Sequence, residues 1–152
     1  MKLFFFLLLS ISNIKNRELH IHLLDNYNNV VLPVKNNNAI NLKLGMALRA
    51  INNIDQIEGK LTTNIWLRYY WNDHYLKWNI SDFNTTETVF STDPSYENSI
   101  WVPDIYLYNT AEKPLENLDY SRAIVYNTGD VIWSRPGLIT STCTFDLRQY
   151  PY

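Results

Sequence analysis

The sequence predicts an all-β domain, an antiparallel β-sandwich preceded by one short helix. Three observations favour this class: a long segment in which apolar and polar residues alternate, a hairpin signal in the last third of the chain, and turn residues at short intervals. With 152 residues the chain is long enough for one domain with a real core. A composition of 46% hydrophobic and 14% aromatic residues excludes global disorder.

The alternating segment spans residues 61–72 and gives the clearest strand. Every second position of it contributes to a core face, which is made of Leu61, Thr63, Ile65, Leu67, Tyr69 and Trp71. The opposite side is polar except for Trp66, which shares it with Arg68. A large aromatic in the polar register indicates a contact with a partner or a ligand, or a cover formed by a loop of the same chain. The strand alone leaves both interpretations open.

The segments before this strand predict one helix and one strand. A helical stripe in residues 17–27, with Asn13 or Asn16 available as a cap, consists of Leu19, Leu23, Leu24 and Tyr27. A second alternation begins at residue 40 and places on one side Ile40, Leu42, Leu44, Met46 and Leu48. We therefore expect a short surface helix and a long first strand, followed by a turn at residues 52–55.

Shorter strands are predicted after the long one. One lies around Val89 and Phe90, and two more flank the hairpin signal at residues 127–130. Beyond residues 135–137 the alternation resumes and points Cys143 inward, on the side of Ile139, Ser141, Phe145 and Leu147. Many strands, few helices and long loops together predict an immunoglobulin-like antiparallel β-sandwich.

The first residues have the features of a secretory signal peptide. Residues 3–9 form an unbroken apolar run, and Ser10 and Ser12 follow at the spacing that a signal peptidase recognises. We expect residues 1–12 to be the signal peptide and residues 13–152 the mature domain, because the apolar run is too short to span a bilayer. Two acceptor sequons agree with secretion and predict glycosylation of Asn79 and Asn84.

Composition and spacing argue against several other functions. The formal net charge is −2 and no Lys/Arg run exists, so neither nucleic acid nor an anionic membrane surface is an expected partner. His20, His22 and His74 lack ligand spacing, so no metal or other cofactor is expected. The chain has no Ser/His/Asp order, no close carboxylate pair and no phosphate loop, with only 4 glycines, so no enzyme is expected.

Several stretches of the chain match a known pattern in the same order. They are residues 62–67 (TTNIWL), residues 71–79 (WNDHYLKWN), residues 101–109 (WVPDIYLYN), the hairpin with its Pro136-Gly137, and Cys143 followed by Tyr150-Pro151-Tyr152. In these stretches the chain resembles the pentameric Cys-loop ligand-gated ion channels, and among them the nicotinic acetylcholine receptor branch. The resemblance covers the chain from about Arg17 to the last residue.

The resemblance implies a β-sandwich that assembles as a ring of five homologous subunits, with agonist bound at each interface. Tyr108 matches an aromatic of the principal face, one wall of a cage for a quaternary ammonium. Trp66 matches the tryptophan that the complementary face supplies to its neighbour's cage. The hairpin of the complementary face would contribute Ile124, Ile132 and Ser134. Arg68 lies two residues beyond Trp66 on the same side. Its positive charge is unfavourable near a cationic ligand, so this residue departs from the pattern that the resemblance implies.

The resemblance also explains the single cysteine. Cys143 matches the first cysteine of the signature loop, whose disulfide partner is missing, although a free buried thiol is the alternative that composition leaves open. We therefore expect the N-terminal part of the extracellular ligand-binding domain of a cation-channel subunit for an acetylcholine-like agonist, as a fragment or truncated product without a pore. Such a product should fold poorly alone, because apolar faces and sheet edges stay open.

The expected location is the secretory pathway and, in a full-length subunit, the extracellular face of the plasma membrane, with attachment through the missing C-terminal region. A truly truncated product would be secreted. The alternative function is a soluble, secreted acetylcholine-binding module with the same sandwich and pentamer. A lectin-like sandwich that stacks sugars on exposed aromatics is a second alternative, but it would not require the ordered motifs.

Overall fold

The structure is a computed structural model that describes residues 15–36, 38–111, 118, 120–146 and 148. Residues 15–24 form helix α1. The later elements are β1 (Lys43–Asp55), β2 (Lys60–Asn72), α2 (Ile80–Phe83), β3 (Glu87–Phe90), β4 (Ala123–Tyr126) and β5 (Asp130–Thr142). The predicted all-β class with a short N-terminal helix is therefore confirmed. The signal peptide predicted at residues 1–12 and the loop tip at 150–152 lie outside the described residues.

The five strands form one antiparallel sheet in the order β1-β2-β5-β4-β3, which is consistent with one layer of the predicted sandwich. The hairpin between β4 and β5 pairs Ala123 with Trp133, Ile124 with Ile132, and Val125 with Val131. Strand β5 continues through Pro136 and Gly137 as one element, whereas the sequence predicted separate strands on either side of them. Among the described residues no helix is long and apolar enough to cross a membrane.

Strands β1 and β2 differ in how well the alternation predicted their burial. In β2 the core residues Ile65, Tyr69 and Trp71 are buried. In β1 the apolar side that the alternation predicted contains Leu44 and Met46, which are exposed by 53% and 67%. The reason is that β1 lies at the edge of the sheet, where its side chains have a neighbouring strand on one side only.

Contacts divide the chain into two compact units. The first contains the described residues of Met1–Lys43, Tyr69–Val102 and Ser121–Trp133, and the second those of Leu44–Arg68, Pro103–Tyr120 and Ser134–Tyr152. The core of the first unit is built from Leu19, Leu23, Leu76, Phe90, Ile100, Val125 and Trp133. Leu19 and Leu23 thus confirm the predicted apolar stripe of α1. Asn16 lies inside α1, so its prediction as the cap is wrong, while Asn13 lies outside the described residues.

A buried hydrogen-bond network fixes the segment after α1 in the first unit. The Tyr27 hydroxyl donates to Oδ2 of Asp73 at 2.6 Å and accepts the backbone N–H of Trp101 at 3.0 Å. Asp73 also accepts the backbone N–H of Tyr75 at 2.9 Å. Burial raises the pKa of both Tyr27 and Asp73. The network therefore joins three segments that are 26 or more residues apart in the chain.

Polar contacts join several segments of the second unit. The side-chain oxygens of Thr62 and Thr140 lie 3.1 Å apart, and Thr140 is 9% exposed. Arg135 is buried and donates from Nη2 to the carbonyl of Leu118 at 2.8 Å. Cys143, which the alternation points inward, is half-buried, and its backbone N–H donates to the carbonyl of Gly59 at 2.8 Å.

Candidate functional site

Trp66 lies in β2 with 42% of its surface exposed. The adjacent residue Ile65 is buried at 2%, so the pleat of the strand turns the indole to the opposite face. Arg68 is exposed on that same face. A cover of Trp66 by a loop of the same chain is thus incomplete among the described residues, and a large aromatic surface remains available for contact.

Tyr108 is fully exposed, at 103% of its reference surface, in a turn that follows residues 101–107, which form no regular secondary structure. The next residue anchors this turn to the end of β5. The carbonyl of Asn109 accepts the backbone N–H of Thr142 at 2.7 Å and its hydroxyl at 3.1 Å. The side-chain amide of Asn109 donates to the carbonyl of Thr142 at 3.3 Å. The phenol therefore extends from a fixed point of the backbone.

The two predicted isoleucines lie directly opposite each other on the β4–β5 hairpin of the first unit. Ile124 is 37% exposed and Ile132 is half-buried, whereas Val125 and Val131 on the other face are buried. The resemblance singled out both residues, and the structure places them opposite each other. Ser134 is half-buried on β5, and it belongs to the same unit as Trp66, Arg68 and Tyr108.

The predicted aromatics do not line the cavities described in the first unit. One cavity of about 730 Å³ includes Tyr70, Asp130 and Ile132 in its lining, and another of about 340 Å³ lies beside His22 and Tyr75. Trp66 and Tyr108 belong to neither. Two exposed aromatic residues therefore face outward from the second unit, which is the arrangement expected of a surface completed by another molecule.

Sequence reasoning did not single out two further exposed tyrosines of the second unit. Tyr106 is 68% exposed, and its hydrogen bond with Asp104 raises the pKa of the phenol. Tyr120 is 57% exposed, and the guanidinium of Arg135 lies 5.2 Å from its ring centroid. The two-residue spacing to Tyr108 could have indicated Tyr106, but no local pattern indicated Tyr120.

The histidines and carboxylates of the described residues are the candidate ligands of a metal site. Within the described ranges, no group of three or more His, Cys, Asp or Glu side chains is arranged to hold a metal ion. His20 donates or accepts a hydrogen bond with Oγ1 of Thr88 at 2.8 Å, and its ring stacks on Phe90. The histidine therefore has a packing role in the first unit.

Comparison with known families decides the classification. Residues 16–152 match the family model of the neurotransmitter-gated ion-channel ligand binding domain. The chain belongs to this family. The family is an extracellular ligand-binding domain of ion-channel subunits and is not an enzyme, which agrees with the sequence prediction.

Individual relatives point to one branch of the family. The chain is 36% identical over 137 residues to acetylcholine receptor subunit alpha-like 2 of Drosophila melanogaster and 34% identical to subunit alpha-L1 of Schistocerca gregaria, with 90% of this chain covered in both cases. It is 32% identical to neuronal acetylcholine receptor subunit alpha-3 of Bos taurus over 99% of its length. The matches span 23%, 24% and 30% of the length of these three relatives. The nicotinic resemblance is thereby confirmed.

Proposed function

We propose that this chain contributes to the binding of an acetylcholine-like cation at the interface between neighbouring subunits of a pentameric cation channel. The observation that carries the proposal is the exposed Trp66 in the polar register of β2, in a domain whose family binds neurotransmitters. The names of the relatives, all acetylcholine receptor subunits, support the agonist class. Membrane attachment and pentameric assembly rest on the same relationship.

In this proposal Trp66 and Tyr108 serve different binding sites of the ring. Tyr108 belongs to the site on its own principal face, and Trp66 completes the site of the neighbouring subunit. Aromatic faces attract a quaternary ammonium, which has no N–H to donate, with about 0.5–2 kcal/mol per ring. The exposed part of the Trp66 side chain, roughly 100 Å², would contribute about 2.5 kcal/mol more if an interface buried it.

The remaining predicted residues would shape the complementary side of the site. Ile124 and Ile132 present paired aliphatic side chains on the hairpin, suited to the uncharged part of an agonist. Ser134 lies two residues beyond Ile132 on β5, and because its hydroxyl oxygen is buried it would support this wall of the site without offering Oγ to the agonist. Cys143 would form the disulfide of the signature loop with a cysteine that follows Tyr152 in a longer subunit.

The proposal can be tested in a chimeric receptor. Residues 16–152 replace the matched segment of the bovine alpha-3 subunit, and acetylcholine-evoked currents are recorded after surface expression is verified. Trp66→Ala should raise the half-maximal acetylcholine concentration roughly 2- to 30-fold, the equivalent of one lost cation–π contact. Trp66→Phe, which keeps a ring, should cause a smaller shift.

The role of Tyr108 on the principal face is tested with Tyr106 as the control. Tyr108→Ala should shift the half-maximal concentration as Trp66→Ala does, whereas Tyr106→Ala, which removes another exposed phenol two residues away, should leave it within about twofold. Equal shifts for the two tyrosines, or none for Trp66→Ala, would refute the assigned roles. Competition by unlabelled agonist against a bound radioligand separates binding from gating.

A further inference from the structure

Helix α2 lies between the two acceptor asparagines, and each of them caps the helix at one end. Asn79 is its N-cap, and Oδ1 of Asn79 accepts the backbone N–H of Ser81 at 3.3 Å. Asn84 is its C-cap in the left-handed region at φ 54°, and its backbone N–H donates to the carbonyl of Ile80 at 2.7 Å. Both asparagines are exposed. The fold therefore presents two acceptor side chains at the surface.

The atoms that cap α2 differ from the atom that accepts a glycan. Capping uses Oδ1 of Asn79 and the backbone N–H of Asn84, whereas N-glycosylation takes place at Nδ2. In that reaction Nδ2 forms a bond to C1 of a lipid-pyrophosphate-linked oligosaccharide and loses one proton. The bond between C1 and the pyrophosphate oxygen breaks, and the lipid pyrophosphate leaves. Both helix caps therefore survive the modification.

The second sequon adjoins the edge strand β3. Strand β3 pairs with β4 on one side only, where the carbonyl of Thr86 also accepts the N–H of Asn127 at 2.9 Å. Just beyond the far end of β3 the backbone N–H of Ile100 donates a hydrogen bond to the carbonyl of Ser91. At the near end the hydroxyl of Thr85 donates to the carbonyl of Glu87 at 2.8 Å, and no strand of the described residues pairs with β3 on this side. Open strand edges invite pairing with other chains.

We propose that Asn79 and Asn84 both carry N-linked glycans and that the glycan on Asn84 shields the near end of the β3 edge from pairing with a second chain. The position of Asn84 supports the shielding role, because Asn84 lies three residues before Glu87, the first residue of β3. The indole of Trp78 also fixes the intervening backbone by donating to the carbonyl of Thr85 at 2.8 Å. Neither part depends on the proposed agonist.

Occupancy is tested by translating the full chain with microsomes behind a strong heterologous signal sequence and counting mobility steps that an endoglycosidase removes. The wild type should show two steps. Asn79→Ser, which keeps an N-cap oxygen, and Asn84→Gly, which tolerates φ 54°, should each lose one, and the double variant both. A protease-protected wild type without steps, or with the same single step in every variant, would overturn the assignment.

Shielding is tested by sedimentation velocity on the same variants after their secretion from cultured cells. The Asn84→Gly protein should show a larger associated fraction than wild type or Asn79→Ser. Adding Val89→Lys, a charge on the exposed side of β3, to Asn84→Gly should restore the wild-type value. Equal association of Asn84→Gly and wild type, or no reversal by Val89→Lys, would overturn the shielding role.

Discussion

Arg68 places a positive charge on the face of β2 that also exposes Trp66. Residues two apart on a strand are separated by about 6.6 Å. At that distance two unit positive charges repel by about 0.6 kcal/mol in bulk water and by about 2.5 kcal/mol at an effective dielectric of about 20. The guanidinium should therefore weaken the binding of a quaternary ammonium at Trp66.

Replacing this charge should strengthen agonist binding. Arg68→Gln in the chimeric receptor should lower the dissociation constant for acetylcholine at least about threefold, whereas Arg68→Lys, which keeps the charge, should change it by less than about twofold. Radioligand competition at two ionic strengths measures the effect, which salt should reduce. Weaker binding of the Arg68→Gln protein would show that the arginine contacts the ligand favourably.

The hydroxyl of Tyr27 is the other single group on which much depends, because it satisfies the buried Asp73 and the N–H of Trp101 together. Tyr27→Phe should lower the free energy of unfolding by about 1–3 kcal/mol, the cost of leaving buried polar groups unpaired. Tyr75→Phe is the matched control, since its exposed hydroxyl lies 3.4 Å from the carbonyl of Val34. Urea unfolding followed by tryptophan fluorescence measures both. Equal losses would contradict a specific role for the network.

Among the elements, α1 is joined to β3 through His20, which bonds Thr88 and stacks on Phe90 with ring centroids 4.4 Å apart. Burial lowers the pKa of His20 below its ordinary 6.5. The unfolded chain therefore takes up this proton at a higher pH than the folded chain does. The stability that the neutral imidazole contributes is present above about pH 6.5 and is lost as the pH falls through the lowered folded pKa.

This linkage predicts a pH dependence that one substitution removes. The urea concentration at the unfolding midpoint should decrease as the pH is lowered from 7.5 to 5.5. This decrease should be smaller in His20→Gln and unchanged in His22→Gln. The pKa of His74 is also lowered, by burial and then by Lys35 and Lys77, so a His74→Gln background isolates the effect. The raised pKa of Asp73 acts in the opposite sense and is common to all variants. An unchanged slope in His20→Gln would contradict the assignment.

The strands show why part of the fold was predictable. In β2 a central position in the sheet makes burial follow the period of the side chains, so Ile65, Trp66 and Arg68 were placed correctly from the sequence. The same period placed the apolar residues of β1 on one side, but it could not show that this side stays exposed, because the position of β1 at the sheet edge is a tertiary property. The sequence also did not predict that β5 continues through Pro136, because a proline usually indicates the end of a strand.

For the whole molecule, the exposed aliphatic side chains of β1 predict self-association. Leu44, Met46 and Leu48 are each more than half exposed on one strand at the sheet edge. The purified chain should therefore form oligomers whose fraction rises with concentration in sedimentation velocity, without a sharp thermal transition. Met46→Lys should reduce the oligomers, whereas Asn53→Lys, which adds the same charge at a polar position of β1, should reduce them less. A monomer with a sharp, cooperative melt would contradict this expectation.

The candidate site was predictable to different depths. Periodicity alone placed Trp66 outward, and the hairpin signal predicted the two strands that carry Ile124 and Ile132, whereas only the resemblance singled out these two residues. Tyr108 lies in a turn without a period, so only the resemblance of residues 101–109 indicated it. Tyr120 is exposed, and its ring contacts Arg135, which is distant in the chain. No local sequence pattern could have indicated this contact.

The central claim, that Trp66 lines an agonist site, is tested most directly by cysteine protection in the chimeric receptor. A thiol-reactive reagent modifies Trp66→Cys at the cell surface, and the rate is measured with and without acetylcholine. The account predicts that acetylcholine slows the modification of Trp66→Cys several-fold and leaves that of Val89→Cys, an exposed position on β3, unchanged. Equal rates at Trp66→Cys with and without acetylcholine would contradict it.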